Sequence, residues 1–272
     1  MAADPVPAVA ESEATGEIAE IYADIRSALG IGVVNLIWRH LATIDGALPW
    51  AWQAVRPLYA GGAAAAAGNA LLGDLELPDL PPWPASALQA AGVDEGDLPT
   101  VRAILDSYNR GNATNLVALS TLVAGPAETP PTGGTSPLQP ILPPGTISTA
   151  IPPLPALDAL APETRELVMA LSGLAAGPQD RIVPSLYRHL ADWPGYLALA
   201  WAALAPLDRA GRLRTMGDRA LGQAAWRARR LDAAAAERPQ NDAAISAAIE
   251  EFRRSAISRM VPIAMILRCL TR

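Results

Sequence analysis

Lysine is absent from this sequence: every one of its 21 basic residues is arginine. A phosphate-binding P-loop, a lysine Schiff base and a pyridoxal phosphate linkage are thereby excluded. A single cysteine, Cys269, permits no internal disulfide. Two histidines, with no Cys-x-x-Cys and no His-Glu-x-x-His, give no sign of a metal site. No Gly-x-Gly-x-x-Gly follows a strand, so no cofactor is expected. The net charge of −6 and the lack of a long basic run argue against nucleic acid as a partner. The longest uncharged stretch, Thr129 to Leu157, is too rich in proline to form a membrane helix. The N-terminus lacks the basic and apolar regions of a signal peptide, and a cytoplasmic protein is expected. What remains is chemistry by Asp, Glu, Ser, Tyr, Asn, His and Arg on a small-molecule ligand. Assembly into a homo-oligomer stays open.

What is present is apolar and repetitive. Apolar residues make up 51% of the chain, mostly Ala, Leu, Ile and Val, with Phe252 the sole phenylalanine. Helical spacing puts Ile18, Ile21, Tyr22 and Ile25 on one face, and Val34, Ile37, Trp38 and Leu41 on another. No strand is expected, and the fold class is all-α. Val34–Gly62 laid over Val183–Gly211, a shift of 149 without gaps, gives 13 identities in 29 positions. Composition alone would give roughly two or three, so the match means duplication. The shared residues include Arg39/Arg188, Gly46/Gly195, Trp52/Trp201 and the only two histidines, His40/His189. Later in each half, the run from Tyr108 pairs more weakly with that from Phe252.

Ten prolines in residues 126–155 mark an extended connection. The organisation is therefore a first helical repeat at 1–125, a Pro-rich linker at 126–158 and a second repeat at 159–272. Two such repeats in one chain are expected to pack about a pseudo-two-fold axis, like a homodimer made covalent, with a pocket at their interface. Gly46 and Gly195 should break pairs of helices, Gly111 should interrupt the helix from Pro99 to Leu122, and Pro262 should kink the last one.

Several side chains invite a functional reading. Tyr108, Asn112 and Asn115 share a helical face at i, i+4, i+7, with Asn109 beside it, and could line a polar pocket. The competing reading is a helix break at Asn-Gly. His40 and His189 could face each other across the axis, but duplication alone explains their symmetry, and a polar helix face is the plainer reading. Ser185 and His189, at i, i+4, suggest a nucleophile and base, yet no third orienting group is apparent and Leu36 stands for Ser185 in the other half. Trp38, Tyr187, Trp52 and Trp201 read as packing. Arg227, Arg229 and Arg230 read as a solvated cluster.

The chain also resembles the group I, DL-type 2-haloacid dehalogenases over most of its length. The resemblance is carried by Thr15-Gly-Glu-Ile, Tyr22-Ala-Asp-Ile-Arg, Arg39-His-Leu-Ala-Thr, Pro49-Trp-Ala-Trp, Tyr108-Asn-Arg-Gly-Asn, Leu190-Ala-Asp-Trp-Pro and Cys269-Leu, in that order and spacing. It implies an all-helical pseudo-dimer that hydrolyses 2-haloalkanoic acids to 2-hydroxy acids, accepts both enantiomers and needs no cofactor. In that family a water activated by an Asp, with help from an Asn, attacks the halogen-bearing carbon. The Asn corresponds to Asn112. The Asp should precede the aromatic residue before the Leu-Ala-x-Trp-Pro run; the aromatic is Tyr187, and Leu186 occupies the Asp position. A gapped alignment would bring Asp180 there instead. The resemblance further implies substrate contacts from Leu36, Ser185, Tyr187, Asn109 and Tyr108.

Overall fold

The computed structural model describes residues 5–123, 151–177, 180–234 and 239–272. Among these there is no strand, and the elements are α1 (Gly16–Leu29), α2 (Leu36–Leu41), α3 (Ala47–Ala60), α4 (Ala63–Gly73), α5 (Ala85–Ala90) and α6 (Leu98–Val123). A 3₁₀ turn (Leu157–Ala159) then leads to α7 (Pro162–Ser172), α8 (Ser185–His189), α9 (Pro194–Arg209), α10 (Arg212–Ala228) and α11 (Asp242–Phe252). A π-helical turn (Arg253–Ile257) joins α11 to α12 (Ser258–Leu270). The all-α reading is correct. Helix α8 starts 149 residues after α2, α10 the same distance after α4, and α11 starts 144 after α6.

Local chemistry explains the helix ends. Glu17 in the first turn of α1 and Arg26 in the last complement its dipole, and Gly30 closes it in the left-handed region at φ +61°. Pro162 and Pro194 begin α7 and α9, where no N–H is needed. Gly46 breaks α2 from α3 as expected, at φ +68°. Gly195 does not: the break falls before Pro194, and Gly195 lies inside α9. There a Cβ would come within 2.3 Å of the Ala91 carbonyl oxygen. Close approach of α5, not backbone freedom, requires that glycine.

Helix α6 holds the structure together. Its 26 residues run without interruption, so Gly111 is no break. A side chain at 111 would sit 3.0 Å from the Asn35 amide, and its absence lets Asn35 approach. The N-terminal part of α6, Val101 to Tyr108, packs into one apolar core with α5, α7, α8 and α9. The C-terminal part, Ala113 to Leu122, packs into the other with α1 to α4. The second core also receives Ala220, Ile245, Phe252 and Met265 from the later half. Neither core belongs to one half of the sequence, so a division at 125 and 159 does not separate them. The alanine run of α4 serves packing: Ala64 is fully buried, and Gly68 lets α4 approach the α6 backbone at Thr114.

Other expectations are corrected. Pro262 lies inside α12, and a π turn at 253–257 begins nine residues upstream of it. Arg227 is not solvated; it is buried, bonded to Gln223 and ion-paired with Asp74 at the end of α4. Arg230 lies 3.6 Å over the Trp226 ring. Trp201 is 42% exposed, whereas its counterpart Trp52 is buried and donates to Asp24. Position 173, which corresponds to Asp24, is glycine, so Trp201 has no such acceptor. Of the linker, residues 124–150 lie outside the described residues. Residues 151–156 have no regular secondary structure, and Arg188 donates to the Pro155 carbonyl. No helix among the described residues is long and apolar enough to cross a membrane.

Replacing Gly195 by Ala forces backbone apart at α5 and should lower unfolding stability by about 1–3 kcal/mol. Gly222→Ala, at a position in α10 where a Cβ meets nothing within 4 Å, should leave it unchanged or raise it by up to about 1 kcal/mol. Urea unfolding of both variants checks this; equal midpoints would refute the packing argument.

Candidate functional site

Where the two cores meet, a polar stretch of α6 borders a cavity of about 40 Å³. One water needs roughly 10–15 Å³, so the space suits a few waters or a ligand of a few heavy atoms. Tyr108, Asn112 and Asn115 form one wall. Two short helices aim their first turns at it: Leu36 and Ile37 of α2, after Asn35, and Ser185 and Leu186 of α8, after Pro184. These are pairs at the 149-residue shift. The opposite wall is apolar, made by Phe252 of α11, Ala256 and Ile257 of the π turn, and Met260 of α12.

The polar wall differs residue by residue. Asn115 is fully engaged: its Oδ1 accepts from Trp38 Nε1 at 3.2 Å and from the Tyr59 hydroxyl at 2.7 Å, and its Nδ2 donates to Asn35 Oδ1 at 2.9 Å. It fixes the wall. Asn112 is 8% exposed, and its Nδ2 is buried without a hydrogen-bond partner. A buried amide N–H in that state costs about 1–3 kcal/mol unless a ligand or water takes it. The helix-break reading of Asn112 fails, because α6 is continuous there.

Of the remaining sequence candidates, Leu36, Ser185 and Leu186 line the cavity and two do not. Asn109 is turned toward α12, its Nδ2 3.4 Å from the Ala264 carbonyl oxygen. Tyr187 is wholly buried in the core around α7 to α9, and burial pushes its phenol far above the usual range. These two are corrected from pocket contacts to core residues: side chains adjacent in sequence to Tyr108 and Leu186 point elsewhere on a helix. Leu186 itself is 1% exposed. Asp180 does not line the cavity. Its Oδ1 accepts from the Ile182 N–H at 3.0 Å, and its Oδ2 pairs with Arg259 at 3.2 Å, away from the cavity. Asp192 is exposed. Among the described residues, no carboxylate lines this cavity, and no His, Cys, Asp and Glu group could hold a metal ion.

His40 is partly exposed, whereas His189 is buried. Each packs on the aromatic residue contributed by the other half. His40 stacks on Phe252 at 5.2 Å, and His189 tilts against Tyr108 at 5.6 Å. Because position 252 carries no hydroxyl, His40 turns Nδ1 to the Pro7 carbonyl at 2.8 Å. His189 Nδ1 lies 2.7 Å from the Tyr108 hydroxyl. His189 is 1% exposed, and burial, then Arg39 and Arg188, push its pKa down to about 4. It is therefore neutral at pH 7. Burial raises the Tyr108 phenol well above its usual range, opposed by Arg39 and by a hydrogen bond with Ser185. Arg39 is itself buried, donating to the Val34 carbonyl at 3.1 Å and to Ser185 Oγ at 3.2 Å. Sequence reasoning missed Arg39, Asn35 and the Phe252 wall. The Tyr108/Phe252 pairing was the available signal for the last.

No family model matches the chain. A configuration-inverting 2-haloacid dehalogenase from Alcaligenes xylosoxydans xylosoxydans is 32% identical over 212 residues, covering 75% of this chain and 70% of that protein. Another of the same description, from Pseudomonas sp. (strain 113), is 28% identical over 115 residues, 42% of this chain and 38% of its own length. Among solved structures, a D-2-haloacid dehalogenase in complex with L-LA superposes with a TM-score of 0.69, at 18% identity, over 98% of this chain and 96% of that one. A mutant D-2-haloacid dehalogenase with D-2-CPA gives 0.65, at 18% identity, over 97% and 94%. At that identity the structural likeness concerns the fold.

The buried imidazole makes a prediction about pH. In the unfolded chain it protonates near 6.5 and in the folded protein near 4, so between those values the unfolded state binds more protons. Stability should fall as pH drops from 6.5 to 4, by about 3 kcal/mol from this group at roughly 1.4 kcal/mol per pKa unit. Denaturant titrations of the native protein and of His189→Asn should diverge through that window; parallel curves would show that His189 is not buried neutral.

Proposed function

The chain belongs to the 2-haloacid dehalogenase family, and we propose that it holds a small organic acid with an apolar body in the cavity but lacks the base for hydrolysing it. The observation that carries this is the lining. Leu186 stands beside Ser185 where the family resemblance calls for Asp, and no carboxylate among the described residues joins it. Displacing halide with water at a saturated carbon forms one C–O bond, breaks one C–halogen bond and releases a proton from the water. Asn112 can orient that water through its amide, but an amide cannot take the proton at neutral pH. Losing a general base costs about 10²–10⁴-fold in rate.

The cavity remains suited to a ligand. Asn112 Nδ2 is an unused donor, the α12 side is apolar, and the buried Arg39 charge lies behind Ser185. The two repeats are proposed to meet here about a pseudo-two-fold axis, with paired positions 35/184, 36/185 and 37/186 on either side.

Purified protein incubated with each enantiomer of 2-chloropropionate should release little or no chloride while its Tm rises with ligand. Leu186→Asp should raise chloride release, and Leu186→Asn, equally polar but without a base, should not. Robust release by the unmodified protein that disappears in Asn112→Ala would refute the proposal.

A further inference from the structure

The duplication supplies an internal control for the surface. Among the described residues two large apolar side chains are exposed, Met169 of α7 at 47% and Trp201 of α9 at 42%. At the 149-residue shift they correspond to Glu20 of α1 and Trp52 of α3. In the early repeat this surface is polar. Glu20, Gln53 and Arg56 are exposed, and Asp24 accepts from Trp52 Nε1 at 2.8 Å and ion-pairs with Arg56. In the later repeat Met169, Ala202, Ala205 and Gly173 replace Glu20, Gln53, Arg56 and Asp24. Both helix pairs pack alike, α1 on α3 and α7 on α9. Four polar groups on one copy of a surface and none on the other mean different neighbours. From Pro194 to Leu207, α9 carries no charged residue, and its one polar side chain, Tyr196, is buried. A helix apolar on every side belongs inside a protein or an interface. Ala198, Trp201 and Ala202 of α9 nevertheless face outward.

We infer that this face of α7 and α9 binds a second copy of the chain, about a two-fold axis near Trp201 that sets the two α9 helices antiparallel. The charges at its ends fit that occupant. Asp192, exposed just before α9, and Arg209, exposed at its last residue, bracket the apolar stretch, with position 201 midway between them. Asp208 is engaged within its own chain, accepting from the Ala175 N–H at 2.8 Å. Antiparallel pairing about that midpoint brings each Asp192 to Arg209 of the partner subunit, twice per dimer. Parallel pairing would set like charges together. The small side chains at 198, 202 and 205 let two helices approach closely. Tryptophan and methionine are the residue types enriched where proteins meet, and a central tryptophan commonly carries much of the energy. An anionic membrane surface fits less well, because Glu163 and Glu166 are exposed on the same helix as Met169. The inference does not depend on what the cavity holds.

Sedimentation velocity of the full chain over a dilution series tests this. The unmodified protein should reach twice the 28.4 kDa of one chain. Trp201→Gln should weaken self-association by about thirtyfold or more, the loss of a central aromatic anchor. Its helical circular dichroism should stay unchanged, because that side chain is exposed in the single chain. Asp192→Arg and Arg209→Asp, each made alone, set like charges against each other and should weaken association about three- to thirtyfold; made together they should restore it. Both native charges also suit the dipole of α9 itself and the exchanged pair does not, so restored association would come from pairing between copies. A chain that stays monomeric at every concentration, or that associates only with lipid vesicles or a foreign protein, would overturn the inference. So would a dimer that Trp201→Gln leaves intact, or a charge exchange that fails to restore what each single change weakens.

Discussion

A polar helix face buried between two apolar cores is the constraint around which this molecule is built. Most of α6 is buried, yet it carries Asn109, Asn112, Asn115, Thr114 and Ser120. Each buried amide or hydroxyl must find a partner or lose about 1–3 kcal/mol. Asn109 lies against the α12 backbone, Ser120 accepts from Arg253, and Asn115 engages Trp38, Tyr59 and Asn35. Asn112 Nδ2 is left over, and it borders the cavity. Asn109 Oδ1 is also left without a partner, but of the two residues only Asn112 borders the cavity.

Buried arginines carry much of that work. Arg39 links the backbone before α2 to Ser185 of α8, tying the early half to the later one. Arg259 donates to the carbonyls of Ser172, Leu174 and Ile182 and pairs with Asp180, which holds the segment leading to Pro184 and Ser185. A guanidinium suits this role because its five donors form a rigid fork and it stays charged. A sequence with no lysine makes its buried cationic bonds this way throughout.

The cavity is asymmetric although its residues come in pairs. Tyr108 stands opposite Phe252, Asn112 opposite Ala256, and Ser185 opposite Leu36. In these three pairs the polar members lie on α6 and α8; the pair Asn35/Pro184 is reversed, with its polar member before α2. Position 186 follows the apolar pattern, and Leu186 matches Ile37 across the 149-residue shift in character as well as in place.

By itself the sequence determined the helical class, the offset at which helices restart, the face shared by Tyr108, Asn112 and Asn115, and the leucine at 186. Those features are local: helical period and a repeated register are written in spacing along one chain. It could not show that α6 serves both cores, that Gly111 and Gly195 make room for neighbours, or that His189 meets Tyr108 while His40 meets Phe252. Periodicity says which face of a helix is buried but not against what. Arg227 looked like surface charge because burial of a guanidinium depends on acceptors brought from distant segments. Only the tertiary structure decided those contacts, since the carbonyls, hydroxyls and carboxylates that satisfy buried polar groups here are supplied by different helices.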